Sequence, residues 1–271
     1  MPTPELLARA LAAAIDAAAA SEQPILSRFR SRSLHVEHKS DGSPVSEADR
    51  AAEAVIRRVL ADALPDIPVL GEEQGYDGPA DAPLRWVVDP IDGTISFING
   101  VPLFGTILGL EDTRSGEALV GVINLPCLGE TYSGARGLGV TCNGTPVRLS
   151  DQTIASGAGD PDDVLQHALL GGGDPAHFVE AGEGEAHAWL SSRPFYRGYT
   201  DCFGHAMVLR GAIAAMVDPG LAPWDLVASR VLVEEAGGTL KLRPSSVEGR
   251  QDAILGRSDL VEVLADKLGW S

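Results

Sequence analysis

Cysteine is scarce, with only Cys127, Cys142 and Cys202 in 271 residues. An odd number without a Cys-x-x-Cys spacing excludes a disulfide framework and a zinc ribbon, and points to a reducing, cytoplasmic setting. Basic residues are also few: 21 Lys and Arg stand against 38 Asp and Glu, a formal net charge of −17. That balance argues against nucleic acid as a partner, because phosphate backbones reward clustered Lys and Arg. Solubility is the ordinary cause of such acidity, and a substrate with cationic character suits it. No apolar run is long enough to span a bilayer, so no membrane partner is expected. The Ala-rich N-terminus is broken by Glu5, Arg9 and Asp16 and reads as an amphipathic helix rather than a secretory leader. Internal repeats and low-complexity linkers are absent.

What is present is a chain 44% hydrophobic, enough for one large core or two tightly joined lobes. Leu6, Leu7, Ala10, Leu11, Ala14, Ile15 and Ala18 recur at helical spacing. A second helix opens at Ser46, with Ala51, Ala52, Val55, Ile56 and Val59 on its apolar side and Ser46 to Asp49 resembling a capping box. Strand patterns follow at Leu103 to Leu110, Ala118 to Leu125 and Glu130 to Ser133, and Asn143-Gly144 predicts a hairpin turn. After about Ser150 helix and strand alternate, with helices near Pro161 to Leu170, Asp201 to Gly211 and Trp224 to Ala236. Gly171-Gly172-Gly173 reads as a surface loop. The division is therefore an N-terminal α+β lobe over 1–150 and a C-terminal α/β lobe over 151–271.

The most informative segment is Trp86-Val87-Val88-Asp89-Pro90-Ile91-Asp92-Gly93-Thr94. Two carboxylates stand at the end of a strand-like run, where Pro90 is expected to end pairing and Gly93 to permit a tight backbone approach. Both acids and the Ile91 carbonyl could then face one ion. Thr94 reads as the start of a helix, whose unpaired N–H groups favour a phosphate. Such Asp-Pro and Asp-Gly pairs are often plain turns, so the neighbours decide. A calcium EF-hand is disfavoured, because Ile91 and Gly93 fall where oxygen ligands are needed.

Those neighbours are Val69-Leu70-Gly71-Glu72-Glu73 upstream and Ala222-Pro223-Trp224-Asp225 downstream. Carboxylates at the ends of separate elements suit a hard cation such as Mg²⁺ completed by substrate phosphate. The lack of His and Cys among them argues against zinc.

With these motifs in order, and Glu234-Glu235-Ala236-Gly237-Gly238 after them, the chain resembles the lithium-sensitive inositol monophosphatase-like phosphatases over about Leu6 to Leu268. Val101 to Thr106 and Tyr199 to His205 look more like the histidinol-phosphatase branch, although Thr200 and Ile95-Ser96 depart from its pattern. The resemblance implies an α+β fold of layered αβαβα type, a homodimer and hydrolysis of a small phosphate monoester.

It also implies roles. Glu72, Asp89 and the Ile91 carbonyl would hold one Mg²⁺, and Asp89, Asp92 and Asp225 a second, with two or three ions per site. Ions about 3.5 to 4 Å apart stabilise both oxygens of an in-line displacement. Asp49 with the Thr94 hydroxyl would take the proton of the attacking water. The Gly93 and Thr94 amides would receive phosphate, and Asp201 and Asp218 would face a cationic leaving group such as histidinol. Asp201 could equally cap its helix, and Asp218-Pro219 could form a turn. Glu73 is expected to give support or surface charge, Lys39 to face water, with contact to phosphate or a ligand carboxylate as its alternative, and His205 to be packed and hydrogen-bonded. Inositol or sugar phosphates are the alternative substrates, and a catalytically silent binding protein the least favoured reading.

Overall fold

The computed structural model describes residues 2–39, 42–149 and 161–270. The helix expected at the N-terminus is α1 (Pro4–Leu26), capped by Thr3, and the one opening at Ser46 is α2 (Glu47–Ala63). The Ser46 cap has both halves of its box: Ser46 Oγ accepts from Ala48 N, and the Ser46 amide donates to Asp49 Oδ2 at 2.9 Å. Small residues let the two helices lie close. Ala10, Ala14 and Ala17 of α1 and Ile56 and Leu60 of α2 pack on Trp86, Val88, Leu108 and Val120. Between the helices, β1 (Val36–His38) and β2 (Pro44–Ser46) form a hairpin.

The apolar face under those helices belongs to an eight-stranded sheet. Its members are β3 (Val69–Gly71), β4 (Gly75–Tyr76), β5 (Leu84–Asp92), β6 (Gly105–Asp112), β7 (Glu117–Leu125), β8 (Glu130–Ala135), β9 (Gly139–Cys142) and β10 (Thr145–Val147). They lie in the order β10-β9-β8-β7-β6-β5-β3-β4, antiparallel except at β3–β5. Asn143 and Gly144 have φ of 49° and 79°, which makes the expected two-residue hairpin turn between paired Cys142 and Thr145.

Pro90 does not end the ladder as expected; it interrupts it. Asp89 pairs with Ile107 and Asp92 with Gly105, with an irregularity between them in which the Thr106 hydroxyl donates to the Pro90 carbonyl at 2.9 Å. In a regular strand, residues three apart point to opposite faces. The bulge removes that alternation and brings Asp89 and Asp92 together. Thr94 then begins α3 (Thr94–Ile98), with Gly93 at φ 88° as its cap residue.

A second sheet contains β11 (Leu170–Gly172), β12 (Tyr196–Arg197), β13 (Ala215–Leu221), β14 (Thr239–Pro244) and β15 (Gln251–Gly256), in the order β12-β11-β13-β15-β14. Three helices lie between the sheets: α7 (Asp201–Leu209), α8 (Pro223–Leu226) and α9 (Ser229–Glu235). Their Ala206, Leu226 and Val231 pack with Ile107 and Ile123 of one sheet and Met216 and Leu255 of the other. On the outer face, α4 (Pro161–His167), α6 (Gly184–Ser191) and α10 (Ser258–Lys267) bury Val164, Leu190 and Leu264 against Leu170, Val217 and Ile254. The layering is therefore α, β, α, β, α, as the resemblance implies. The short α5 (Pro175–Glu180) sits beside β13.

Two expectations are corrected. Trp224 to Ala236 is two helices, α8 and α9, rather than one. Gly171-Gly172-Gly173 is not a surface loop: Leu170 to Gly172 form the buried strand β11, and Gly173 continues on it by donating to Val217 O. Side chains there would collide, since a Cβ on Gly172 would lie 2.3 Å from the Tyr196 hydroxyl. The lobe boundary near residue 150 falls outside the described residues. Among the described residues no helix is long and apolar enough to cross a membrane.

Candidate active site

The C-terminal end of β5, the turn after β3 and the N-terminus of α8 converge on one cleft with about 350 Å³ of room. That is the size of a small-molecule site. Glu72, Asp89, Ile91, Asp92, Gly93, Thr94, Asp201 and Asp225 all line it. Asp89, Asp92 and Asp225 each bring an oxygen within 4.8 Å of the others.

Each acid is oriented by backbone. Asp89 Oδ1 accepts from Ile91 N at 3.0 Å, Asp225 Oδ2 from Ala222 N at 2.8 Å, and Asp92 Oδ2 from Cys202 N at the start of α7. Burial, then repulsion from Glu72, Asp92 and Asp225, holds the Asp89 carboxyl well above the usual carboxylate range. Burial and repulsion from Asp201 and Asp225 do the same to Asp92, against the Cys202 amide. Asp225 is pushed up to about 7 by burial and by Glu72, with the Ala222 amide opposing. Among the described residues no lysine or arginine forms an ion pair with any of the three; Arg250, also in the cleft, acts on Asp225 without pairing with it, so the set can take the charge of a cation. An all-oxygen set of this kind fits a hard divalent ion.

Asp49 lies 3.3 Å from the Thr94 hydroxyl, which also donates to the Ile91 carbonyl at 3.0 Å. Its other oxygen takes both Ser46 donors. Burial raises the Asp49 carboxyl, the Ser46 bonds resist, and Glu72 adds repulsion.

Glu72 is placed by Glu53, a fully buried residue of α2 that accepts from Glu73 N at 2.8 Å and Gln74 N at 3.2 Å. Lys39 corrects the expectation of a water-facing side chain. Its ammonium bridges Glu72 Oε1 at 2.8 Å and Glu73 Oε1 at 2.7 Å, and it lines the cleft. Burial opposes its charge, but the two glutamates outweigh burial and raise its pKa. Glu73 is no surface charge either, with its side chain 5% exposed. Burial moves it to about 7, against the bond to Lys39 and with repulsion from Glu72.

Asp201 does not cap α7. It is the first residue of that helix with φ 62°, and the cap residue is Thr200, whose hydroxyl donates to Asp201 Oδ2 at 2.7 Å. A Cβ on Gly93 would meet that same oxygen at 3.1 Å, so Asp201 reaches the Gly93 turn before α3. Burial lifts Asp201 to about 6, the Thr200 bond opposing and Asp218 adding. Asp218 lies farther back, buried on β13 in a recess below the cleft, with His205 at 3.1 Å. His205 is packed and hydrogen-bonded, as expected.

Asp174, His177, Trp224 and Arg250 also line the cleft, and sequence reasoning did not assign the side chains of Asp174, His177 or Arg250 to it. Asp174 caps α5 and Arg250 donates to Gly220 O at 2.8 Å, so in sequence they read as ordinary turn residues.

The model of the inositol monophosphatase family matches residues 6–255. This chain belongs to the inositol monophosphatase family. A histidinol-phosphatase of Chlorobaculum parvum is 39% identical over 231 residues, covering 85% of this chain and 83% of that one. An inositol-1-monophosphatase of Mesorhizobium japonicum is 33% identical over 227 residues, covering 82% and 79%. A solved inositol monophosphatase from Zymomonas mobilis superposes with a TM-score of 0.76 at 29% identity, covering 96% of this chain and 97% of that one. The protein is thus a phosphatase of a metal-dependent family, with an acidic cluster able to hold a metal.

Proposed function

We propose that this phosphatase uses Mg²⁺ to hydrolyse histidinol phosphate, with inositol or sugar monophosphates as the alternative. Glu72, Asp89 and the Ile91 carbonyl would hold one ion and Asp89, Asp92 and Asp225 another, within a complement of two or three. When bound, Mg²⁺ supplies Lewis-acid charge at the phosphoryl oxygens. The Gly93 and Thr94 amides at the start of α3 receive phosphate oxygens. Asp49 Oδ1, beside the Thr94 hydroxyl, takes a proton from the attacking water, and its raised pKa brings it closer to the working pH of a general base. Glu72 keeps that water's surroundings anionic. No covalent intermediate is required.

The observation that carries the substrate reading is Asp201. A left-handed backbone takes it out of capping and turns its carboxylate to the cleft beside Gly93, with Asp218 in the recess behind. Paired acids there favour an ammonium or imidazolium on the leaving alcohol over a neutral polyol. The 39% identity to a histidinol-phosphatase supports the same choice, and the 33% identity to an inositol-1-monophosphatase keeps the alternative. A cytoplasmic homodimer acting in histidine biosynthesis belongs to this reading, as does a lobe division near residue 150.

The test is phosphate release from histidinol phosphate and from myo-inositol 1-phosphate, each titrated with Mg²⁺. A kcat/KM at least about tenfold higher for histidinol phosphate supports the proposal, since charge-assisted contacts reach that size. Equal or reversed values assign the alternative, and activity insensitive to chelation removes the metal.

A further inference from the structure

Below the cleft, between α7 and α9, three buried side chains form a hydrogen-bonded chain. Ser229 Oγ lies 2.8 Å from His205 Nδ1, and His205 Nε2 lies 3.1 Å from Asp218 Oδ2. All three residues are buried, at no more than 1% exposure each. Serine, histidine and aspartate suggest a nucleophilic triad, but a fully buried serine hydroxyl has no access to an ester. The chain must act on something else. A carboxylate only accepts, so the tautomer with its proton on Nε2 donates to Asp218 and accepts the Ser229 hydroxyl at Nδ1. Both ring nitrogens are then satisfied, as burial demands.

The end of this chain is Asp218. It occupies the last regular pair of β13 before the irregularity leading to Leu221, opposite Ala253. Its carboxylate lies over Gly173, where a Cβ would come within 1.8 Å of Oδ1, so only glycine leaves the acid room. His205 is three residues after Cys202, whose amide binds Asp92, so α7 fixes Asp92 through a free N–H of its first turn and Asp218 through a side chain. The recess has about 30 Å³ of room, and Asp218 lines it with Asp92, Asp174, Asp201 and Asp225 beside His177 and the edge of His205 itself. A single water-sized group fits there. A primary ammonium is of that size and an imidazole ring is not.

We infer that His205 is a positioning residue: held by Ser229, it fixes Asp218 in the wall of the recess, which receives an ammonium on the leaving alcohol. This rests on the reading of Asp201 and Asp218 as leaving-group contacts. Without the His205 donor, the buried carboxylate loses its partner and its single orientation. The effect therefore falls on substrate affinity and not on P–O cleavage, which proceeds at the other side of Asp92.

The experiment compares histidinol phosphate with its analogue lacking the amine, using the Mg²⁺-loaded protein. His205→Leu is expected to raise KM for histidinol phosphate at least about tenfold, with kcat and the analogue's KM moving less than about threefold. In an Asp218→Asn background the same substitution should add less than about twofold, because it acts through that acid. His205→Gln, which keeps an N–H donor, should return KM to within about threefold of the wild type. Equal KM changes on both esters, additive effects in the double variant, or a loss confined to kcat overturns the role. Should His205→Leu not fold, Ser229→Ala carries the test, with a rise of about two- to fivefold confined to the amine-bearing ester. A wild type that treats the two esters alike overturns the ammonium recess and the substrate reading together. A wild-type preference that survives in His205→Leu and Ser229→Ala overturns only the positioning role.

Discussion

The carboxylate of Glu53 fills the space where residue 71 would carry a side chain: a Cβ on Gly71 would lie 2.2 Å from Glu53 Oε1 and 2.7 Å from Arg57 Nη2. Glu53 is held there by Arg57 Nε at 2.8 Å and supports the turn that presents Glu72. Gly71→Ala must therefore displace a buried ion pair. The expected cost is about 1–3 kcal/mol, or a Tm lowered by roughly 2–10 °C. Apparent Mg²⁺ affinity should weaken with it. Thermal unfolding and a Mg²⁺ activation curve check this; wild-type values in both would show that Glu53 yields freely.

Lys39 holds the place of a cation on Glu72. Replacing it by Met removes a competing positive charge and should lower the Mg²⁺ concentration at half-maximal activity by about twofold or more, given partly screened charges. Removal also takes a positive charge from the cleft, so KM for the phosphate ester should rise. A higher Mg²⁺ requirement in Lys39→Met would show that the lysine assists metal binding instead of competing with it.

Metal binding should be strongly linked to pH. Asp89, Asp92 and Asp225 have folded-state pKa values above the ordinary carboxylate value of about 4. A raised acid adds no penalty below its unfolded pKa and its full penalty above its folded one. The metal-free protein therefore loses stability from these groups as pH rises from about 4 through the Asp225 value of about 7. A bound cation offsets that penalty. At a Mg²⁺ concentration of 100 Kd, mass action alone gives about 2.7 kcal/mol, or roughly 5 °C in Tm. The Mg²⁺-induced rise measured by scanning calorimetry should be larger at pH 8 than at pH 5.5. An equal rise at both would separate the stabilising ion from these carboxylates.

Local chemistry was legible in the sequence and distant packing was not. The Ser46 to Asp49 cap and the Asn143-Gly144 turn depend on neighbours along the chain, so residue type alone predicts them. The acids proposed to hold metal stood out in the sequence because Glu72 and Asp89 follow short apolar runs, Asp92 comes three residues after Asp89, and Asp225 opens a helical pattern. Gly171 to Gly173 resembled a loop because the reasons for glycine, Tyr196, Ile213, Met216 and Asp218, lie 20 or more residues away. Pro90 misled for a similar reason: whether a ladder resumes after it depends on Gly105 and Thr106. Lys39 and Arg250 became cleft residues only through the β1–β2 hairpin and the pairing of β15 with β13, which composition does not reveal.

Asp92→Asn, Asp225→Asn and Asp49→Asn should separate binding from proton transfer. The first two remove anionic ligands and should abolish Mg²⁺-dependent phosphate release while leaving a folded protein, because a neutral amide is a poor partner for a hard cation. Asp49→Asn should slow turnover by about 10²-fold or more while Mg²⁺ binding persists, the usual scale for losing a general base. Titration calorimetry with Mg²⁺ beside single-turnover rates makes the comparison. Near-normal turnover in Asp92→Asn or Asp225→Asn would remove the metal assignment. Lost affinity with normal turnover at saturating Mg²⁺ in Asp49→Asn would move that residue among the ligands.

Specificity should turn on Asp201, whose carboxylate reaches the Gly93 turn in the cleft. Asp201→Asn keeps shape and an acceptor for the Thr200 hydroxyl but removes the charge. The expected loss for histidinol phosphate is about 1.5–3 kcal/mol in transition-state binding, the range for a charge-assisted contact. That equals a fall in kcat/KM of about 10- to 150-fold. A neutral polyol phosphate should lose less than about threefold, because hydroxyls bind an amide nearly as well as a carboxylate. Relief of repulsion on Asp92 acts on both substrates alike and cancels in their ratio. The ratio of kcat/KM values is therefore the quantity to measure, in wild type and in Asp201→Asn. An unchanged ratio would sink the recognition role even if both rates fell, and would favour an inositol-type or broad phosphatase.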